Sequence, residues 1–231
     1  MTRQRHLLVL MPHTGECFSC SGAVAKHTAH GDRATLVTVC SGQAHLGQAW
    51  EKHVQRCHRA AAILGAAFET MDFLSSGVTE VNWESKVKMA EVIRRHQPDI
   101  VITVPREPLY EQPHSDHEST HLLVYHGRDL AARGIALPSG LPPHFVNDLY
   151  FLGEGGPGEV FIDVTEVSDL VRCAWDELAY HDLLGAGYGT LPAGISLKRS
   201  VEYRHRVRQD VVVEAYRPCY YEEKTLPLFP E

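Results

Sequence analysis

The chain has 231 residues, 44% hydrophobic and 22% charged, enough to bury a sizeable core in a single α/β domain spanning residues 1–231. A formal charge of −7 argues against a nucleic-acid surface, which needs a concentrated excess of Lys and Arg. No stretch is apolar and long enough to cross a bilayer, and the start MTRQRHLLVLMPH has too short an apolar run for a signal peptide, so a cytoplasmic protein with reduced cysteines is expected.

Residues 6–11 form an apolar run, residues 12–16 break it, and residues 21–30 are helix-compatible with Gly31 as a stop. The pattern repeats. Residues 34–39 read as a second strand, 50–64 as a helix closed by Gly65, and 67–73 as a third strand. An amphipathic helix follows over 84–96, Pro98 ends it, and the β-branched run 100–104 has the character of a buried parallel strand. Residues 117–133 suit a helix and 134–143 an exposed Pro/Gly loop. Further on, 145–152 and 160–164 resemble strands, and Thr165 caps a helix expected to run to about His181. Residues 184–194 read as a loop and 198–208 as a solvated basic helical face. Such alternation implies a Rossmann-like, mostly parallel sheet with helices on both faces.

In such sheets ligands bind beyond the carboxyl ends of the strands. The two densest polar clusters, residues 12–20 and 105–117, follow the first and fourth strands and so open on the same edge. Fifteen histidines are many for this length, and spacing has to select among them. His13 and Glu16 stand three apart in the first cluster, and His114, Asp116 and His117 close the second. Imidazoles and carboxylates converging from two strand ends, with one position left for water, have the composition of a hydrolytic zinc site.

These residues resemble the LmbE-like or PIG-L-like zinc de-N-acetylases, which act on N-acetylglucosaminyl groups. His13-Thr14-Gly15-Glu16-Cys17 with Gly22 occupies that family's His-Pro-Asp-Asp-Glu pattern, and His114-Ser115-Asp116-His117 its His-Pro-Asp-His. Smaller echoes lie at residues 38–42, 60–65 and 97–101 and at Val213-Glu214-Ala215-Tyr216. The resemblance implies that His13, Glu16 and His117 bind Zn2+ or another divalent metal. It implies that His114, held by Asp116, stabilises or protonates a tetrahedral intermediate as water attacks an amide carbonyl. The implied substrate is a small N-acylated amine or amino sugar, and the implied assembly a homo-oligomer. Arg106 and Tyr110, in the loop before the second motif, and Gln43, in the loop that replaces the family's Arg-Gly-Glu, are candidate substrate contacts.

Two departures bear on catalysis. The family's general-base aspartate is Gly15 here, and its metal-binding aspartate is Glu16. The late Ser-Gln signature is replaced by Asp182-Leu183 after His181. Losing a general base typically costs ~10²- to 10⁴-fold in rate, which leaves room for a catalytically silent metal- or sugar-binding protein. Cys17-Phe18-Ser19-Cys20, a CxxC at a helix start, offers a third reading as a thiol oxidoreductase. His45, His53 and His58 are expected at the surface, and Trp50, Trp83 and Trp175 as packing anchors.

Overall fold

The computed structural model describes residues 3–74, 80–106, 114–153, 160–179 and 212–219. The elements in chain order are β1 (His6–Met11), α1 (Thr14–Phe18), α2 (Ser21–Ala29), β2 (Arg33–Ser41), α3 (Gln43–Leu46), α4 (Gln48–Ile63), β3 (Ala67–Leu74), α5 (Trp83–His96), β4 (Ile100–Thr103), α6 (Ser115–Ala132), β5 (Asp148–Leu152), β6 (Val160–Asp163), α7 (Ser168–Leu178) and β7 (Val213–Pro218). They form one seven-stranded sheet of order β3-β2-β1-β4-β5-β7-β6. The first five strands in that order pair in parallel, and β7 runs antiparallel between β5 and β6.

The alternation of β1 dictates two cores. Leu7, Val9 and Met11 pack on one face with α2, α4 and α7, while Leu8 and Leu10 pack on the other with α5 and α6. Because both faces are covered, the central strands are mostly apolar, and all six residues of β1 are buried, His6 among them. Arg94 of α5 is also fully buried: its guanidinium donates to the carbonyls of Leu130, Ala131, Arg133, Ile135 and Leu141, which pins the end of α6 and the loop beyond it. No helix among the described residues is long and apolar enough to cross a membrane.

Several expected boundaries move. The break after β1 contains a short helix, α1, and β5 starts at Asp148 because the preceding segment, with Phe145 70% exposed, lies outside the sheet. A 3-10 turn over Thr165–Val167 precedes α7, which ends at Leu178. The loop expected over 184–194 and the basic helix over 198–208 fall outside the described residues. Trp50 and Trp175 are packing anchors, but Trp83, expected to be one, is 62% exposed at the start of α5.

The sheet order reverses between β1 and β4, whose neighbours on either side are the next strands outward. Adjacent loops diverge at such a switch point and leave a crevice at the carboxyl ends of the strands. The segments after β1 and β4 are the two that carry His13 and His114.

Candidate metal centre

His13 sits in extended backbone at the N-cap of α1, and one helical turn later α1 presents Glu16. His13 Nδ1 lies 3.4 Å from Glu16 Oε2. On the other side of the switch point His114 is the N-cap of α6, and its Nδ1 accepts a hydrogen bond from the backbone N–H of Asp116 at 3.3 Å. The first turn of α6 then brings His117 inward, with Nε2 3.5 Å from Glu16 Oε1, and buries Asp116, whose Oδ2 lies 3.1 Å from His13 Nε2. The His114 and His117 rings stack with centroids 4.8 Å apart.

Two overlapping sets of potential ligand atoms each converge within 4.8 Å: His13, Glu16 and His117, and His13, His114 and Asp116. Their hydrogen bonding separates them. In the second set the Asp116 carboxylate is engaged by His13 Nε2, and His114 Nδ1 by the Asp116 backbone. In the first, Glu16 Oε2, 3.4 Å from His13 Nδ1, is buried without a hydrogen-bond partner. Buried polar atoms are rarely left this way, and an ion is one of the usual reasons. The spacing fits as well, since two ligand atoms each ~2.1 Å from a tetrahedral zinc stand roughly 3.4 Å apart. The first set therefore has the donors, the separations and the unmet valence that a divalent metal requires.

The electrostatics match the geometry. Burial works against a charged His13 ring, but its contacts with Asp116 and Glu16 outweigh that and raise its pKa to about 9. Burial works against an ionised Glu16 too, and His117 and His13 overcome it, holding the carboxylate well below its usual range. Burial, reinforced by the neighbouring His13 and His117, lowers the His114 pKa.

Sequence reasoning places His13, Glu16, His114, Asp116 and His117 together, and they do meet. Asp116 holds His114 through its backbone N–H, and its carboxylate also reaches His13. Arg106 is exposed shortly after β4, Gln43 is exposed at the start of α3, and Tyr110 lies outside the described residues. The CxxC reading fails on burial. Cys17 and Cys20 are both inaccessible, Cys17 lies within α1, and burial raises its thiol pKa to about 12 while it donates to the Val37 carbonyl. The buried Cys17 thiol is therefore not a reactive thiolate near neutral pH.

His53, expected at the surface, is buried behind the first cluster, with Nε2 3.0 Å from the Thr14 hydroxyl and 3.5 Å from Cys57 sulfur. The signal is present in α4, where Trp50, His53, Cys57, Ala60 and Ala61 are all buried at helical spacing on one stripe. Trp50 also closes over Gly42, where an added Cβ would lie 2.6 Å from the indole. One face of α4 thus packs against the segments that follow β1 and β2.

Fold and site together define a doubly wound α/β protein with a histidine–carboxylate centre at its topological switch point. The sequence profile of the GlcNAc-PI de-N-acetylase (PIG-L) family matches residues 8–127, and the chain belongs to that family. Solved structures share the fold at low identity. The 4-carboxy-2-hydroxymuconate hydratase GalB of Pseudomonas putida is 20% identical, with a TM-score of 0.75 over 96% of this chain and 99% of that one. A conserved protein of Thermus thermophilus is 22% identical, with a TM-score of 0.72 over 99% and 100%. The N,N'-diacetylchitobiose deacetylase of Pyrococcus horikoshii is 16% identical, with a TM-score of 0.72 over 96% and 88%. No curated protein sequence matches significantly.

Proposed function

We propose that the protein is a metal-dependent hydrolase that removes an N-acetyl or other N-acyl group from an amino sugar or related small polar amine. The observation that carries this reading is the cluster of His13, Glu16 and His117 at the switch point, where the buried Glu16 Oε2 has no hydrogen-bond partner. A divalent ion, zinc by the donor set, supplies Lewis acidity that acidifies water and polarises the acyl carbonyl. The chain's own residues do the rest. Asp116 accepts from His13 Nε2, which fixes the ring and leaves Nδ1 free to act as a ligand. His114 Nδ1 accepts from the backbone, so the neutral ring carries its proton on Nε2 and serves as a donor to a developing oxyanion or a departing amine. Family membership supports the amide chemistry. The test is amine release from a panel of N-acetylated amino sugars by chelator-stripped protein with and without added zinc; equal release in the two samples would rule out a metal-dependent reaction.

A fold neighbour suggests a second reading: GalB is named as a hydratase. The same donors would then direct addition of water to a double bond in an unsaturated carboxylic acid. Loss of ultraviolet absorbance by such acids, without amine release from any amide, selects this chemistry.

A further inference from the structure

We infer that Glu214, on the C-terminal strand β7, is a positioning residue for the metal centre: its carboxylate caps α2 from across the fold and so fixes the α1–α2 segment that carries Glu16. The inference rests on the metal reading above.

An N-cap side chain normally accepts from the second or third backbone N–H of its helix. Cys20, the N-cap of α2, makes no such bond. The second and third N–H groups, those of Gly22 and Ala23, donate instead to Glu214 Oε1 at 2.7 Å and Oε2 at 2.8 Å. The Tyr216 hydroxyl donates to Oε2 at 2.6 Å. Glu214 is buried, and its hydrogen-bond partners are all donors, at the helix end where negative charge is favoured. Gly22 makes the approach possible, since a Cβ there would lie 2.5 Å from Val164 Cγ1 and 2.7 Å from Glu214 Oε1.

The anchor is rigid at both ends. Glu214 is paired with Ile162 in the sheet, and β7 is held between β5 and β6. From the start of α2 a continuous run of hydrogen bonds leads back to the centre: Ser21 Oγ to the Phe18 carbonyl, Cys20 N–H to the Cys17 carbonyl, and Ser19 N–H to the carbonyls of Gly15 and Glu16. Phe18, Cys17 and Cys20 are fully buried, so this segment has no slack to absorb a shift. A ligand set has to be held within about 0.5 Å to keep its geometry, and a released α2 N-terminus would move Glu16 by way of this path. Glu214 touches no ligand, and it lies beyond residues 8–127, the span matched by the family profile.

The test is the zinc dissociation constant of the full chain, measured by competition with a chromophoric chelator at a temperature where circular dichroism shows every variant folded. Glu214→Ala is expected to weaken zinc binding by about 10-fold, the factor that loss of one helix cap corresponds to. Glu214→Gln, which keeps one acceptor oxygen, should weaken it less. Adding Cys20→Asp to Glu214→Ala supplies a local cap to the same two N–H groups and should restore affinity. Should Glu214→Ala fail to fold, Glu214→Gln carries the comparison. A purely structural role would lower the melting temperature of the variants while leaving zinc affinity within about 2-fold of wild type, and that result overturns the proposal. His13→Ala separates the two levels: if it binds zinc as the wild type does, the site assignment itself has failed, whereas an intact site with unmoved Glu214 variants refutes the positioning role alone.

Discussion

His53 gives the sharpest test of the packing behind the centre. Burial, reinforced by the Arg56 charge, lowers its pKa from an ordinary 6.5 to about 4. The native state therefore refuses a proton that the unfolded chain accepts, so the stability from this group is present above pH 6.5 and lost as pH falls toward 4. With those two values the loss is about 0.2 kcal/mol at pH 7, about 2 kcal/mol at pH 5 and about 3 kcal/mol at pH 4. At a urea slope of about 2 kcal/mol/M, the pH 5 figure lowers the unfolding midpoint by roughly 1 M. Burial also lowers the pKa of His6, His27 and His96, so the quantity to measure is the difference between wild type and His53→Gln, which keeps a polar tip and cannot protonate. Urea titrations at pH 7, 6 and 5 should show wild type losing about 2 kcal/mol more than the variant over that range. Parallel pH curves for the two proteins would show that His53 is not held neutral against Thr14 and Cys57.

The centre makes further demands. His13→Ala and His117→Ala should each strip the metal on mild chelation, read by elemental analysis; retention of stoichiometric metal by both refutes the ligand set. His114→Ala should keep the metal and lower turnover by ~10²- to 10⁴-fold, the usual range for a lost proton donor; a simultaneous loss of metal would make His114 a ligand. Gly15→Asp should raise amide hydrolysis by roughly 10-fold or more without loss of thermal stability, because a base is restored beside the centre. Gly15 lies within α1 and not among the positive-φ glycines, so the backbone accepts a side chain there. Unchanged or lower hydrolysis in a folded Gly15→Asp protein shows that it does not use the family's mechanism with one part missing.

The apolar runs of β1, β2 and β4 and the helices between them are readable because a parallel sheet covered on both faces leaves continuous hydrophobic strands and strong helical stripes. The crevice is readable for the same reason, since order and handedness decide which strand ends meet. What escapes depends on contacts distant in sequence. Asp116 reads as a partner for His114, two residues away, yet its carboxylate reaches His13 across the switch point. Glu214 reads only as part of the Val213–Tyr216 echo of the family, and its role at α2 emerges only once β7 is threaded between β5 and β6. His53 escapes for a different reason: a titratable side chain suggests polar surface, although its spacing from Trp50 and Cys57 puts it on the buried stripe.

The choice between the two chemistries turns on which proton movements the chain can still perform. Amide hydrolysis needs one group to take a proton from water and another to give one to the departing amine. The backbone bond to Nδ1 leaves the neutral His114 ring a donor at Nε2, and under the proposed reading it would be the giving group. The taking group is absent at residue 15. Asp116 is fully buried and already engaged by His13, which removes it as a ready substitute. Glu16 is the remaining carboxylate of the cluster, and its longer arm allows one oxygen to hold the ion while the other faces water. Its two oxygens do point to different partners, Oε2 toward His13 and Oε1 toward His117. If Glu16 serves both purposes, Glu16→Asp should keep the metal while losing most of the hydrolysis, and the double variant carrying Gly15→Asp should recover it; a Glu16→Asp protein as active as wild type would leave the base to the substrate or to another reaction.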